Sequence, residues 1–244
     1  MHVFLTGATG YIGSAILSQL LEHGHDVTAI VRSEEKARQV EAAGGTPVVD
    51  DMSDRPRLVY LMRESDGVIH TAATGDEHAE TFDRGVADAA IEALSGSGKP
   101  YLHTGGVWIY GEGDSITEQD PYEAPAITAW RLGVIELLEQ ADLPLTVVHP
   151  GIVYGYGKGI PNVLGAGAPR TDDGRLGTVG SGEQHWTTIH VDDLAALYVA
   201  VLEAGSGFGA VLGVSGQNPR VLDLSAAAAK GAGCLLYTSP SPRD

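Results

Sequence analysis

Short apolar segments alternate with longer amphipathic segments along the first 150 residues of this 244-residue chain. Six of them have the length and composition of strands: HVFLT, DVTAIV, TPVV, GVIHTA, PYLHTG and LPLTVVHP. The segments between them have helical periodicity, and the last, AITAWRLGVIELLEQA, predicts a long helix over residues 126–141. Such alternation is typical of βαβ units. It predicts an α/β fold with a doubly wound parallel sheet over residues 1–150.

The texture of the sequence changes after Pro150. Residues 151–184 are rich in glycine and proline, which mark loops, and TTIHVDDLAALYVAVLEAG then predicts a strand and a helix capped by Asp192 or Asp193. Loops beyond the carboxyl edge of a parallel sheet commonly hold a substrate. We therefore predict that residues 151–233 complete the sheet and form a small C-terminal substrate lobe.

The last eleven residues, CLLYTSPSPRD at positions 234–244, lack apolar periodicity. They resemble one reading frame of a transposon-based sequencing adapter, so we expect the natural sequence to be cut near Gly233 and leave this segment out of the fold prediction. The alternative is a natural disordered tail.

Composition limits the classes of partner. Fifteen Lys and Arg against 32 Asp and Glu give a formal net charge of −17, which disfavours nucleic acid and anionic membrane surfaces. No apolar run has the length of a membrane-spanning helix. The single cysteine, Cys234, excludes an internal disulfide framework and is typical of a reducing compartment. These features predict a cytoplasmic protein that acts on small molecules.

Three glycines stand between the first predicted strand and the first predicted helix, in FLTGATGYIGSAIL. Gly7, Gly10 and Gly13 have the G-x-x-G-x-x-G spacing, which permits a tight turn, close approach of a pyrophosphate, and close packing of helix on strand. The N–H groups at the helix start would face the phosphates. We predict a Rossmann-type dinucleotide site that also includes Thr9, Tyr11 and Ile12; the alternative is a glycine-rich turn without a ligand.

The end of the second strand selects between the two nicotinamide dinucleotides. NAD-binding proteins commonly place an acidic residue there, against the ribose 2′-hydroxyl. This chain has Arg32, whose guanidinium suits a 2′-phosphate. We predict NADP, with NAD as the alternative cofactor. The alternative interpretation of Arg32 is a solvated arginine at the strand end, which would not indicate either cofactor.

The glycine motif, together with VIHTAA, HPGIVYG and IHVDDLA, resembles the short-chain dehydrogenase/reductase superfamily, and within it the extended NAD-dependent epimerase/dehydratase family. The resemblance runs from residue 1 to about residue 233. It implies that Asp51 and Met52 flank the adenine, that Thr71, Ala72 and Ala73 line the cofactor, and that Pro150 lies near the nicotinamide.

The chain departs from that family at its catalytic positions. The family uses a Tyr-x-x-x-Lys pair, an upstream Ser or Thr, and an Asn; the matching positions here hold Ile127, Arg131, Gly106 and Asp83, with Thr104 two residues before the glycine. Arg131 can still bind the nicotinamide ribose, but a guanidinium stays protonated near neutral pH.

A proton donor must then come from elsewhere, and we name as catalytic candidates Asp83, Thr104, Tyr154 and Arg131, with Tyr110 and Tyr122 as further tyrosines. Asp83 is predicted to have a raised pKa in a partly buried cleft. Its alternative is a solvated or helix-capping aspartate.

No metal site is predicted, because the histidines fall singly in or at the ends of strands, at His70, His103, His149 and His190. Trp186 stands where nucleotide-sugar enzymes of the family place an arginine, which argues against a nucleotide-sugar substrate. The sequence favours a reductase of a small carbonyl compound, as monomer or homodimer. The rival hypothesis is a catalytically inactive, cofactor-binding regulator.

Overall fold

The computed structural model describes residues 1–164, 170, 174–205 and 207–237. The chain forms two compact units. The first comprises Met1–Pro150 and Asp192–Gly213, and the second comprises Gly151–Val191 together with the residues from Val214 onward. Residues 192–213 thus return to the first unit, where they add a helix and a strand to the sheet.

The first unit contains a sheet of seven parallel strands, in the order β11-β6-β5-β4-β1-β2-β3. These strands are β1 (His2–Thr6), β2 (Asp26–Val31), β3 (Thr46–Val49), β4 (Gly67–His70), β5 (Tyr101–Thr104), β6 (Leu145–Pro150) and β11 (Gly209–Gly213). Strand order reverses direction between β1 and β4, as in a doubly wound fold. The predicted α/β, Rossmann-type class is confirmed.

Six helices accompany this sheet: α1 (Tyr11–Glu22), α2 (Glu34–Ala43), α3 (Arg55–Arg63), α4 (Ala79–Leu94), α5 (Trp130–Glu139) and α6 (Val191–Ala204). A short 3₁₀ helix covers Val107–Tyr110. Every residue of β4 and β6 is buried, as expected of parallel strands covered by helices on both faces. The core includes Phe4, Val68, Tyr101 and the inward side of α4, with Val86, Ala87, Ala90 and Leu94.

The prediction of one helix over residues 126–141 is wrong at its start. The helix α5 begins at Trp130, and residues 126–129 form turns. The N–H groups of Thr128, Arg131 and Leu132 each bond to the carbonyl three residues earlier, whereas the N–H of Ala129 bonds to the carbonyl four residues earlier, so the segment after Pro125 is not a regular α-helix. Ile127 therefore lies on a turn, with 74% of its surface exposed.

Strand register places three polar residues in one row across the sheet. Thr6 on β1 is opposite His70 on β4, and His70 is opposite His103 on β5. Residues paired in this way project from the same face of a sheet. The row lies at the carboxyl ends of the strands, the edge at which doubly wound folds bind ligands.

The second unit has three strands in one sheet, β7 (Ile152–Gly155), β8 (Lys158–Gly159) and β10 (Thr188–His190), and a two-stranded pair of β9 (Leu176–Gly177) with β12 (Leu236–Tyr237). It also contains a 3₁₀ helix, Ile160–Leu164, and the helix α7 (Val221–Gly231). Leu236 pairs with Leu176, and the N–H of Leu176 donates to the carbonyl of Leu235 at 2.9 Å, while the adapter origin of this segment remains a prediction. Residues 238–244 of the tail lie outside the described residues.

Across the described ranges, no helix combines the length and apolar character needed to cross a membrane.

Candidate functional site

The three glycines of the motif have different structural requirements. Gly7 adopts a φ of +77°, which favours glycine, and a Cβ added to Gly13 would stand 2.1 Å from the carbonyl oxygen of Gly7. These two residues are therefore required by the turn and by the packing of α1 on β1. Gly10 is exposed, has a φ of −81°, and an added Cβ would meet only the Gly7 oxygen, at 3.1 Å. That contact is tight but far less severe than the one at Gly13, so packing requires glycine less strongly at this position, and a ligand that rests on the exposed backbone would add to the requirement.

The N-terminus of α1 lies directly after this turn. Gly10 is the N-cap and provides no side-chain hydrogen bond, and its N–H donates to the Gly7 carbonyl at 2.8 Å. Thr9, Tyr11 and Ile12 are half-buried around the turn. Backbone N–H groups in the first turn of a helix have no acceptor within the helix, which suits an anionic group such as a pyrophosphate.

Arg32 follows β2 directly and is exposed. Within the described part of the chain, its guanidinium has no ion-pair or hydrogen-bond partner. The next residue, Ser33, caps α2 by accepting from the N–H of Lys36 at 3.3 Å. A cation without a protein partner therefore stands beside the start of a helix, at the position where a 2′-phosphate is expected.

Asp51 and Met52 follow β3. The carboxylate of Asp51 accepts from the N–H of Ser53 at 2.8 Å, and hydrogen bonds with Ser53 lower the pKa of Asp51. Met52 is half-buried and packs against the core. Their place at the adenine remains a prediction.

A cavity of about 280 Å³ opens at the carboxyl ends of β4 and β5. Six of the predicted site residues line it: Thr71, Ala72, Ala73, Asp83, Thr104 and Arg131. Six more residues complete its wall. Four of them were not predicted as site residues: Gly75, Asp76, Ala79 and Phe82. The other two are Ile127, just before α5, and Trp130, at its start. The guanidinium of Arg131 lies over the Trp130 ring, 4.5 Å from its centroid, which fixes the direction of the charge.

Asp83, His70 and His103 form a buried group, the carboxylate cluster. His70 Nε2 lies 3.0 Å from Asp83 Oδ1, and His103 Nε2 lies 3.3 Å from Oδ2. The two imidazole rings stack, with centroids 5.3 Å apart. The expectation that these histidines fall singly was wrong, because strand register pairs them and α4 brings the aspartate over both.

The predicted raised pKa of Asp83 was also wrong. Burial by itself would raise that pKa, but the contacts with His103 and His70 outweigh it and hold the pKa of Asp83 well below its usual range. Burial also lowers the pKa of His70, which favours its neutral form. Asp83 is therefore a carboxylate near neutral pH and has no proton to donate.

Two buried hydroxyls assign the protons within this cluster. Thr6 Oγ1 lies 2.7 Å from His70 Nδ1, and the Tyr101 hydroxyl lies 3.1 Å from His103 Nδ1. If both hydroxyls donate, both Nε2–H groups lie against the carboxylate, where His70 makes a hydrogen bond to Oδ1 and His103 approaches Oδ2 at 3.3 Å without the alignment of a hydrogen bond. The ligand atoms of these three residues lie within 4.8 Å of one another, as a metal site requires, but in this arrangement the Nε2 lone pairs are not free to bind an ion. The absence of a metal remains a prediction.

The hydroxyl of Thr104 is fully engaged. It donates to the carbonyl of His70 at 2.6 Å and lies 2.6 Å from the Tyr198 hydroxyl. Arg131 Nη1 donates to the carbonyl of Thr104 at 3.4 Å, and burial lowers the pKa of the guanidinium, with the charge of Asp83 opposing that shift. These contacts support positioning roles for Thr104 and Arg131.

A second group, the aromatic cluster, comprises Tyr110, Tyr122 and His149. The Tyr110 ring meets the rings of Tyr122 and His149 edge-on, at centroid distances of 5.1 and 5.4 Å. Tyr122 is half-buried and packs inward from the loop before α5. The N–H of Gly106 donates to His149 Nδ1 at 3.3 Å, but within the described residues neither His149 Nε2 nor Tyr110 Oη has a partner.

The aromatic cluster is held in its neutral form. Burial raises the pKa values of Tyr110 and Tyr122, and burial lowers the pKa of His149 to about 4. Neither tyrosine is prepared as a base at neutral pH.

Pro150 ends β6 opposite Gly213 of β11, in the first unit. Tyr154 lies on β7 of the second unit, is 37% exposed and meets the His190 ring edge-on at 5.3 Å. Their predicted roles beside the nicotinamide remain predictions.

Comparison with known proteins identifies the family of this chain. The family model "NAD dependent epimerase/dehydratase family" matches residues 3–211. An uncharacterized protein of Schizosaccharomyces pombe is 34% identical over 86% of this chain and 75% of its own length. A 2-alkyl-3-oxoalkanoate reductase of Shewanella oneidensis is 28% identical over 83% of this chain and 57% of its own length.

Among solved structures, the dTDP-glucose 4,6-dehydratase DesIV of Streptomyces venezuelae, with NAD bound, superposes with a TM-score of 0.78. The two sequences are 21% identical, and the superposition covers 96% of this chain and 82% of DesIV. At this level of identity, the similarity shows the fold alone. The family match spans most of the sequence and includes the glycine turn and both sides of the cavity. The chain belongs to the NAD-dependent epimerase/dehydratase family.

Proposed function

We propose that this protein is an NADP(H)-dependent oxidoreductase that exchanges hydride with a small, non-nucleotide carbonyl or alcohol. The observation that carries the proposal is the glycine turn, where packing explains Gly7 and Gly13 but leaves Gly10 open for a ligand. NADPH, when bound, supplies the hydride, and the chain supplies orientation and charge.

The preference for NADP rests on Arg32. Its exposed guanidinium has no partner in the described part of the chain and stands where the family commonly has an acidic residue. A fixed fork of donors matches the geometry of a phosphate dianion, whereas NAD offers only a hydroxyl at this point.

The cavity walls support a positioning mechanism. Arg131, held by Trp130 and by the Thr104 carbonyl, is available to bind ribose hydroxyls. Ile127 cannot donate a proton, and the Thr104 hydroxyl already has two partners. Without a donor at the tyrosine position, we expect turnover to lack the roughly 10²–10⁴-fold contribution of general acid catalysis.

The substrate class follows from the remaining wall. Ala79, Phe82, Ile127 and Trp130 give the cavity part of an apolar lining, which suits a compound with a hydrocarbon part. The similarity to a protein named as a 2-alkyl-3-oxoalkanoate reductase supports a carbonyl carried on such a compound. Trp186 in place of an arginine argues against a nucleotide diphosphate.

The second candidate is a cofactor-binding regulator without turnover. The loss of the tyrosine, the lysine and the serine, with aspartate for asparagine, favours it. Incubation with NADPH and a panel of alkyl ketones and 3-oxoacids separates the two hypotheses. An oxidoreductase consumes NADPH in proportion to product, whereas a regulator binds NADPH and leaves its absorbance constant.

The cofactor assignment is tested by calorimetric titration with NADP⁺ and NAD⁺. Loss of charge-assisted hydrogen bonds in Arg32→Gln is expected to weaken NADP⁺ binding about 10–100-fold and to leave NAD⁺ binding within about threefold. Arg38→Gln, an equal change at an exposed position on α2, is the control and should bind both like the parent. Equal parental affinity for the two cofactors would refute the NADP preference, and no binding of either would refute the proposed function.

A further inference from the structure

The strongest unexplained feature is a locked negative charge in the wall of the cavity. The Asp83 side chain lines the cavity, yet only 7% of its surface is exposed. His70 donates to Oδ1 at 3.0 Å, while Oδ2 has no well-aligned donor within the described residues, because His103 reaches it at 3.3 Å with poor geometry. A buried carboxylate oxygen with an unfilled position is suited to meet a charge or a donor on a ligand.

Two ordinary uses of a buried carboxylate do not fit this cluster. As an acid, Asp83 would need a proton, and the contacts with the two imidazoles keep the carboxylate ionised. As a metal ligand, it would need free Nε2 lone pairs on His70 and His103, and those lone pairs are absent in the arrangement in which Thr6 and Tyr101 donate to the two Nδ1 atoms. What remains is a buried anion that stays ionised near neutral pH and is held by its contacts with His70 and His103.

Among the described residues that line the cavity, Arg131 carries a positive charge that interacts with this anion. Arg131 lines the same cavity and is fixed by the ring of Trp130 and the carbonyl of Thr104. Both charges are partly or wholly removed from water, where charge interactions over several ångströms are much stronger than in bulk solvent. The cavity can therefore distinguish ligand groups that differ by a single charge.

We propose that Asp83 makes this cavity discriminate between the two redox states of the nicotinamide, binding the oxidised form more tightly. This inference rests on the proposed function, with the nicotinamide bound beside Thr71–Ala73 and Arg131. The oxidised ring carries one positive charge and the reduced ring carries none, while the rest of the cofactor is unchanged. A fixed carboxylate therefore raises the affinity for NADP⁺ and changes the affinity for NADPH little. The positive charge of Arg131 lowers the affinity for NADP⁺ relative to NADPH.

The balance of the two charges would set the reducing power of the bound cofactor. Tighter binding of NADP⁺ relative to NADPH lowers the reduction potential of the bound couple, which makes bound NADPH a stronger hydride donor. Each tenfold in the affinity ratio corresponds to about 30 mV for a two-electron couple. Asp83 would thus favour carbonyl reduction without touching the substrate.

The test measures dissociation constants for NADP⁺ and NADPH separately, by calorimetry and by NADPH fluorescence, on folded protein without substrate. Asp83→Asn keeps the shape and removes the charge, and we expect it to lower the preference for NADP⁺ over NADPH by about tenfold. Arg131→Met removes the opposing charge and should raise the preference, even where it weakens both affinities. Asp76→Asn is the matched control, since Asp76 lines the same cavity but is exposed, and it should change the ratio less than twofold.

The outcomes separate the two proposals. If the parent binds neither form, the proposed function fails. If the parent and folded Asp83→Asn bind both forms with the same ratio, the inference is overturned while the proposed function stands. If Asp83→Asn does not fold, Arg131→Met decides, because an unchanged or lowered preference for NADP⁺ in that variant overturns the inference.

Discussion

The carboxylate cluster and the aromatic cluster are both buried near the carboxyl ends of strands in the first unit. The first contains an ionised side chain, whereas the titratable side chains of the second are neutral. In the carboxylate cluster, burial would neutralise Asp83, and two imidazoles keep it ionised. In the aromatic cluster, burial of Tyr110 and His149 is not offset, so the tyrosine stays protonated and the imidazole stays neutral.

This difference in ionisation follows from the hydrogen-bond partners of the side chains and not from how deeply they are buried. His70 and His103 each have a hydroxyl on one nitrogen and a carboxylate on the other. His149 has a backbone donor on one nitrogen and nothing on the other in the described part of the chain. A buried ionisable group keeps its charge only where the surrounding chain replaces the hydrogen bonds of water.

The largest expected effect comes from removing the anion. Asp83→Ala would leave two buried Nε2–H groups without an acceptor and Arg131 without its opposing charge. We expect the free energy of unfolding to fall by about 3–5 kcal/mol, measured by urea denaturation at pH 7. Glu80→Ala, at an exposed position on the same helix, is the control and should change it by no more than about 0.5 kcal/mol. A loss below about 1 kcal/mol in Asp83→Ala would mean that the cluster does not stabilise the fold.

The next effect is a pH dependence that belongs to the aromatic cluster. The pKa of His149 is about 4 in the folded protein, below its ordinary value of 6.5, so the unfolded chain takes up a proton first as the pH falls. Stability should therefore decline between pH 6.5 and 4, by about 3 kcal/mol from this residue. His149→Asn keeps an acceptor for Gly106 and removes the titration, so its unfolding free energy should fall less steeply over that range.

Asp83 acts in a different pH range. Because its pKa is lowered from 3.8, its contribution is fully present above that value and is lost only as the pH falls further. Because burial lowers the pKa of His70, this residue also decreases the free energy of unfolding on acidification. That decrease should be the same in the parent and in His149→Asn. Parallel curves for these two proteins between pH 6.5 and 4 would contradict the assignment to His149.

The smallest effect compares two buried tyrosines. Tyr101→Phe removes the donor to His103 Nδ1, and we expect a loss of about 1–2 kcal/mol in the free energy of unfolding. Tyr110→Phe removes a hydroxyl that has no partner in the described residues, so stability should be unchanged or rise by up to about 1 kcal/mol. Equal losses in the two variants would show that the clusters do not differ in this way.

The sheet could be predicted from the sequence because each strand is a separate local signal. Segments such as GVIHTA and LPLTVVHP coincide with β4 and β6, and the glycine motif lies at the turn where its spacing predicts it. The start of α5 could not be predicted from apolar periodicity, because the irregular winding after Pro125 depends on hydrogen bonds that periodicity does not encode.

Six of the predicted site residues line one cavity, but their roles remain predictions and their electrostatics could not be predicted from the sequence. Position in the family motifs was enough to bring Thr71, Asp83 and Arg131 to one cavity. The sign of the Asp83 pKa shift required its partners, and His70 and His103 become neighbours only through the order and register of β4 and β5. Two strands that each end near a histidine were the available signal, and they become informative once the strands are known to be adjacent.

Thr6 joins the interior to the cofactor loop through one oxygen atom. Its hydroxyl lies 2.7 Å from His70 Nδ1, and the same oxygen is 3.3 and 3.4 Å from the N–H groups of Thr71 and Ala72. A second proton on His70 would turn Nδ1 into a donor, and three donors would then compete for one oxygen. The backbone that is expected to hold the nicotinamide is thereby coupled to the protonation state of a histidine that is itself buried.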